Sequence, residues 1–361
     1  MTTPTGDDRT VRAITLWFPP EWTAPPDEAV IGAADQQAME WRDAMGLART
    51  DAERAKWSLS MVRPAVYGCY SFPNGLAERQ GTCAKFLLMW AIHDDQIEHT
   101  GVPADYPRRV SDAIRGLPAP DGLPDDRFLR CWRDLGDTFR DDGMSPRWLE
   151  RIGSSMADWY RTPGRPALTR HGGQWPRSED YWALRTVNSG MYPWLDLLEY
   201  AHARELTPAQ RASPTVESVY RATCELYMCC NDLVSIGKDR ADGLPNIVAA
   251  LVREQDITYA DAAGQLLDRH GAIVKDLIAT FAAGGDGGSG GAGGAGGVAP
   301  ELAWWLAEAR HYQPGMANSH FLATRYEPVA PMPTGPPLHV RTNTFDPTTA
   351  RRAGLRLSAC R

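Results

Sequence analysis

From about residue 28 onward, apolar residues recur at three- and four-residue spacing, and the alternation of a half-buried strand is scarce. Ala, Leu, Arg and Glu dominate these stretches, and such residues favour helix. The pattern predicts helix after helix. Breaks fall where Gly and Pro gather: Pro73-Asn74-Gly75, Gly101 to Pro107, Leu117 to Pro124, Pro163 to Gly173, Pro208 to Pro214 and Gly243-Leu244-Pro245. The segments between have ordinary helix lengths, nothing repeats with a solenoid period, and no shift of composition marks a second domain. The chain therefore reads as all-α, a single-domain helical bundle over residues 15–327. Residues 1–14 read as a disordered N terminus, and the Pro-rich stretch from Trp17 to Pro26 as an extended strap over the body. Gly284 to Gly297 (GGDGGSGGAGGAGG) is too rich in glycine to hold a helix or strand and reads as a flexible surface loop. Residues 328–361, Pro-rich and then carrying Arg341, Arg351, Arg352, Arg356 and Arg361, read as a mobile tail.

Two segments disturb the apolar pattern in a way that calls for chemistry. The run Phe86 to Ile92 leads straight into Asp94, Asp95 and Glu98. Clustered carboxylates at the end of an apolar helix repel one another unless a cation meets them or one takes up a proton. On a helix Asp94 and Glu98 share a face one turn apart, with Asp95 beside them. Such oxygens suit a hard divalent cation like Mg²⁺, which keeps waters and shares phosphate oxygens. The segment alone leaves a solvated acidic helix end open as well. His93-Asp94 also spells the core of the HD phosphohydrolases, although the other histidines are scattered.

The second segment is Asn231 to Asp239, where Asn231, Ser235 and Asp239 stand at i, i+4 and i+8 and line one helical stripe. Amide, hydroxyl and carboxylate oxygens together make a hard-cation site, and Lys238 can reach a phosphate beside it. Ser and Asn compete with helix backbone, so their presence asks for a reason; facing water is the plain alternative.

In these two segments and their order the chain resembles the bacterial class I terpene synthases. Their first metal motif, DDxx(D/E), is matched by Asp94, Asp95 and Glu98. Their second, NDxxSxxx(D/E) with Lys before the last acid, is matched by Asn231, Asp232, Ser235, Lys238 and Asp239. Gly243 to Ala250 resembles the stretch that follows, including Asn246. Arg325-Tyr326 resembles the RY pair that binds diphosphate. Arg185 to Gly190 resembles the diphosphate-sensing segment, with Arg185 as sensor, Asn188 as linker and Ser189 as effector on a helix broken near Gly190. Arg185 stands 46 positions before Asn231, the family's separation. The likeness covers roughly residues 15–327. Glu98 replaces the commoner Asp, and Asn188 stands where the family has Asp.

The resemblance implies the class I terpenoid synthase fold, with the cavity in the bundle centre. It also implies Mg²⁺-dependent ionisation of a linear prenyl diphosphate followed by carbocation cyclisation. Three Mg²⁺ ions are expected, two on Asp94 and Glu98 and one on Asn231, Ser235 and Asp239. Arg185, Lys238, Arg325 and Tyr326 would contact diphosphate. Tyr67, Phe72, Phe86, Trp90, Trp194, Tyr227 and Trp304 are candidates for an aromatic cavity wall. Farnesyl diphosphate is the default substrate, geranylgeranyl diphosphate the alternative. A chain-elongating prenyltransferase would carry two aspartate-rich motifs, and a class II cyclase would carry DxDD, which is absent.

Charge and cysteine content narrow the setting. A formal net charge of −7 argues against a nucleic-acid partner and means that an anionic substrate must be met by local cations. The seven cysteines show no zinc spacing and, odd in number and scattered, suit buried thiols in a reducing cytoplasm. No apolar run approaches the ~18 residues of a membrane helix. A homodimer is expected from the helical relatives.

Overall fold

Helix starts follow capping chemistry. The computed structural model describes residues 12–119, 126–162, 176–285, 302–322, 329–330 and 338–345. Helix α1 (Glu28–Ala44) begins at Asp27, whose carboxylate accepts from the Ala29 amide at 2.8 Å. α2 (Asp51–Lys56) opens on a Thr50/Glu53 capping box, and α3 (Leu59–Val62) and α4 (Pro64–Ser71) follow closely. α5 (Ala77–Thr100) and α6 (Tyr106–Ile114) come next, then α7 (Arg127–Asp141), capped by Asp126, and α8 (Pro146–Arg161), capped by Ser145. α9 (Ser178–Asn188) and α10 (Met191–Ala201) are two parts of one broken helix. After the short α11 (Pro208–Arg211) run α12 (Pro214–Ala241), α13 (Ile247–Gln255), α14 (Tyr259–Gly285) and α15 (Ala303–Leu322). Proline sits in the first turn of α4, α6, α8, α11 and α12, where its missing N–H costs nothing.

α5 and α12 carry buried residues nearly all round, so they form the centre of the bundle. α1 and α4 pack on α5, α14 on α12, and α15 on α4. Gly315 permits the last contact, because a Cβ there would lie 1.7 Å from the Tyr70 carbonyl oxygen. No helix among the described residues is long and apolar enough to cross a membrane. The six described cysteines are all buried free thiols.

The chain ends depart from expectation. β1 (Arg12–Leu16) pairs in parallel with β3 (Leu338–Thr342), and β2 (Val329–Ala330) lies antiparallel on the other side of β3. Part of the segment read as a disordered N terminus and part of the segment read as a mobile tail therefore form one small sheet. Leu338, Val340 and Thr342 turn inward, and Thr342 Oγ1 donates to Asn318 Oδ1 of α15 at 2.7 Å. Asn343 then clasps Phe18, accepting its amide at 2.8 Å and donating to its carbonyl at 2.9 Å. Residues 1–11, 328, 331–337 and 346–361 of these segments, and residues 286–297 of the Gly-rich loop, lie outside the described residues.

Candidate active site

On α5, Leu87, Trp90, Ala91 and Asp94 follow helical spacing and open on one cavity of ≈ 760 Å³, with Asp95 at its rim. Asp95 Oδ2 is 2.6 Å from Lys56 Nζ of α2. The Glu98 side chain lies outside the described part. His93 is buried away from this cavity, its ring stacked on Phe128 at 3.9 Å between centroids and its Nδ1 2.5 Å from the Tyr160 hydroxyl. Burial pushes its pKa down to about 3. Sealed in that aromatic nest, His93 does not join Asp94 in a phosphohydrolase-type metal site.

α12 faces the same cavity from another side with Tyr227, Asn231 and Lys238. Lys238 Nζ pairs with Asp242 at 2.9 Å. Ser235 and Asp239 share the stripe of Asn231 but do not line the cavity. Ser235 Oγ donates to Asp239 Oδ2 at 2.5 Å, and Asn246 Nδ2 donates to that oxygen at 2.9 Å and to the Asp232 carbonyl at 2.8 Å. Asp232, given no role from sequence beyond its place in the motif, is fully buried and joins three elements. Its Oδ2 accepts from the Ile247 amide and the Tyr181 hydroxyl, both at 2.8 Å, and its Oδ1 is 3.7 Å from Arg185 Nη2.

The segment between α9 and α10 closes a third side. Arg185 Nη1 donates to Asn188 Oδ1 at 2.9 Å and Nη2 to Asn231 Oδ1 at 3.1 Å, so one guanidinium joins the helix break to the second motif. The break falls where expected, with Gly190 at φ +72°. Trp159 Nε1 donates to the Asn188 carbonyl at 3.0 Å, holding an end-of-helix acceptor. Trp90 meets Trp159 edge to face at 5.5 Å and presses against Gly190, where a Cβ would fall 1.9 Å from Trp90 Cζ2. Gly190→Ala thus combines left-handed strain with overpacking, a cost of about 2–4 kcal/mol. A thermal melt should show that loss, and kcat should fall at least about tenfold because the break displaces Asn188 and Ser189. An unchanged melt and rate would remove the constraint.

Of the aromatic wall candidates, Tyr67, Trp90, Trp194 and Tyr227 line the cavity. Phe72 and Phe86 stand behind it, 5.5 Å from Trp194 and 6.2 Å from Trp90 between centroids. Phe86 is one residue off the α5 stripe and turns to Trp132. Trp304 packs on Arg204 and His202, about 18 Å along α15 from the cavity-lining Met316. Trp57, Trp159, Tyr160, Met191, Met316 and His320 line the cavity without having been foreseen. Arg325 and Tyr326 lie outside the described residues.

Residues 85–276 match the family model described as "Terpene synthase family 2, C-terminal metal binding". The chain belongs to the terpene synthases. It is 24% identical to a (-)-delta-cadinene synthase of Streptomyces clavuligerus, over 80% of this chain and 92% of that one. A (-)-beta-caryophyllene synthase of Saccharothrix espanaensis, described as cyclising (2E,6E)-farnesyl diphosphate, is 25% identical over 65% of this chain and 67% of its own. The crystal structure of a linalool/nerolidol synthase from Streptomyces clavuligerus has the same fold, with a TM-score of 0.68 at 19% identity, covering 82% of this chain and 96% of that one.

The protein is accordingly a class I terpene cyclase, a carbon–oxygen lyase acting on a prenyl diphosphate, with the divalent-metal dependence of its family. The groups at the cavity mouth fit that metal. Among the described residues no three His, Cys, Asp or Glu side chains converge. A terpene synthase does not need such a cage, because a hard cation takes one or two carboxylates and completes its shell with water and substrate phosphate. Asp94 and Asp95 bring carboxylates and Asn231 a carboxamide to one cavity, a set that includes hard oxygen donors.

Proposed function

We propose that the enzyme ionises farnesyl diphosphate with three Mg²⁺ ions and closes the allylic cation into a cyclic sesquiterpene hydrocarbon or alcohol, releasing diphosphate. One observation carries the reading: the Asp94 and Asp95 carboxylates, the Asn231 amide, Arg185 and Lys238 all open on a cavity whose remaining walls are largely aromatic and apolar.

In this reading Asp94 and Glu98 hold two ions, with Asp95 beside them, and Asn231, Ser235 and Asp239 hold the third. When bound, the ions supply Lewis-acid neutralisation of the leaving diphosphate. The hydrogen bond from Ser235 to Asp239 uses the hydroxyl proton and one carboxylate oxygen, so both side chains retain oxygen lone pairs for the ion. Arg185, Lys238, Arg325 and Tyr326 donate to diphosphate oxygens, and those bonds strengthen as the C–O electron pair departs with the leaving group. Arg185 is the sensor in this scheme, and it passes its shift through Asn188 to Ser189 at the break. The faces of Tyr67, Trp90, Trp194 and Tyr227 stabilise the cation without bonding to it, while the closed walls keep water from quenching it.

Farnesyl diphosphate is the substrate named for the caryophyllene synthase relative. The test is to incubate the full chain with Mg²⁺ and geranyl, farnesyl or geranylgeranyl diphosphate, with products identified by mass spectrometry. Farnesyl diphosphate should give the highest kcat/KM and cyclic C15 products, and EDTA should abolish turnover. Preferred C20 products would move the reading to a diterpene synthase. A longer diphosphate, or only prenol and inorganic phosphate, would overturn the proposed reaction.

A further inference from the structure

The rim of the cavity is built in part by the segment from α2 to the end of α3, which contributes Lys56, Trp57, Met61 and Val62. This segment is tethered at its back, where Arg42 Nη1 donates to the Trp57 carbonyl at 2.7 Å. A looser tether runs through Arg127, whose Nη2 is 3.0 Å from Gln96 Oε1 and 3.9 Å from Glu53 Oε1. Across the mouth the link is ionic: Lys56 Nζ lies 2.6 Å from Asp95 Oδ2, between residues 39 positions apart that both line the cavity.

A carboxylate oxygen in contact with an ammonium cannot also bind a divalent cation at contact distance without strong like-charge repulsion. One of the two must leave. The Lys56 ammonium can do so, because its side chain is half exposed, its stem is flexible, and the indole of Trp57 offers a face 5.5 Å away.

We infer that Lys56 is a built-in competitor for the first acidic motif. It neutralises Asp95 while no metal is loaded and is displaced when a divalent cation arrives, so the free enzyme resists metal until a diphosphate brings further charge to the site. The inference rests on the proposed metal site at the first acidic motif and adds the Asp95 carboxylate to it. It assigns to Lys56 a role that neither metal motif contains.

The experiment is a titration of the full chain with Mn²⁺ alone, followed by electron paramagnetic resonance. Lys56→Met should bind Mn²⁺ about three- to tenfold more tightly than the parent, since it loses both the competing contact and the repulsion. Lys56→Arg, which keeps the charge, should stay near the parent. In an Asp95→Ala background, Lys56→Met should tighten binding by at most about twofold, since only the screened repulsion remains to be lost; a gain as large as in the parent background would overturn the competitor role. Equal Mn²⁺ affinity for the parent and Lys56→Met, with both binding, overturns the competitor role and leaves the metal site standing. Failure of both to bind Mn²⁺, even with inorganic diphosphate present, overturns the metal assignment and the competitor role with it. Circular dichroism matching the parent checks that Lys56→Met is folded.

Discussion

Asn231→Ala is expected to lower kcat/KM by about 10²–10³-fold while leaving the far-ultraviolet circular dichroism unchanged, and Asp94→Ala is expected to do the same. Asn231 is the only one of the three oxygen-bearing residues of its stripe that lines the cavity, and its Oδ1 also accepts from Arg185 at 3.1 Å. The substitution removes a proposed metal ligand and releases the guanidinium that joins the helix break to α12. Asp94 lines the same cavity from the α5 stripe that includes Trp90. Both changes remove charge stabilisation that grows as the C–O bond breaks, so the loss should appear in kcat as well as in kcat/KM. Steady-state assay with farnesyl diphosphate and Mg²⁺ reads the effect. Rates within a few-fold of the parent for either variant would reject its assignment as a metal ligand.

Arg151→Leu is expected to destabilise the fold by about 3–5 kcal/mol at pH 8, the usual cost of leaving a buried carboxylate without its countercharge. Arg151 of α8 donates to Asp196 Oδ1 at 3.3 Å and to Glu199 Oε1 at 2.6 Å, and both carboxylates are fully buried on α10. The same helix supplies Met191 and Trp194 to the cavity, so loosening it should also spoil cyclisation. Tyr220 donates to Asp196 at 2.7 Å, Ser155 at 2.8 Å, and the Leu206 amide donates to Glu199 at 2.7 Å, while Arg151 is the cation that contacts both carboxylates and Arg211 stacks on Tyr220 at 3.9 Å. Burial raises the Glu199 pKa from 4.5 to about 7, against the lowering effect of Arg151. A raised carboxyl pKa contributes stability that is complete below about pH 4.5 and lost as pH rises through about 7. Without Arg151 the rise is larger, so the gap between parent and variant should widen from pH 5 to pH 8. Thermal melts at the two values check this; a gap independent of pH would show that the ion cluster is not the cause.

Much of this enzyme was legible from local spacing. Three- and four-residue periodicity and the Gly/Pro breaks separate the helices, because both signals act within a few residues. The two acidic segments, the Arg185 segment and the helix break at Gly190 were readable for the same reason. Other features needed partners far away in the chain. Leu338, Val340 and Thr342 alternate as a strand should, yet five residues in a Pro- and Arg-rich stretch mean little without β1, more than 320 positions earlier.

Residue spacing alone sets the helical class, the order of the two oxygen-rich motifs and which oxygens share a helical stripe, since helix geometry converts spacing directly into faces. Which of those faces meets the cavity follows from helix packing. Phe86 misses it by one position and Trp304 by more than three turns, Ser235 and Asp239 turn into each other, and Asp95 finds Lys56. Each of these outcomes depends on how neighbouring helices pack, and packing joins residues whose separation along the chain carries no periodic signal.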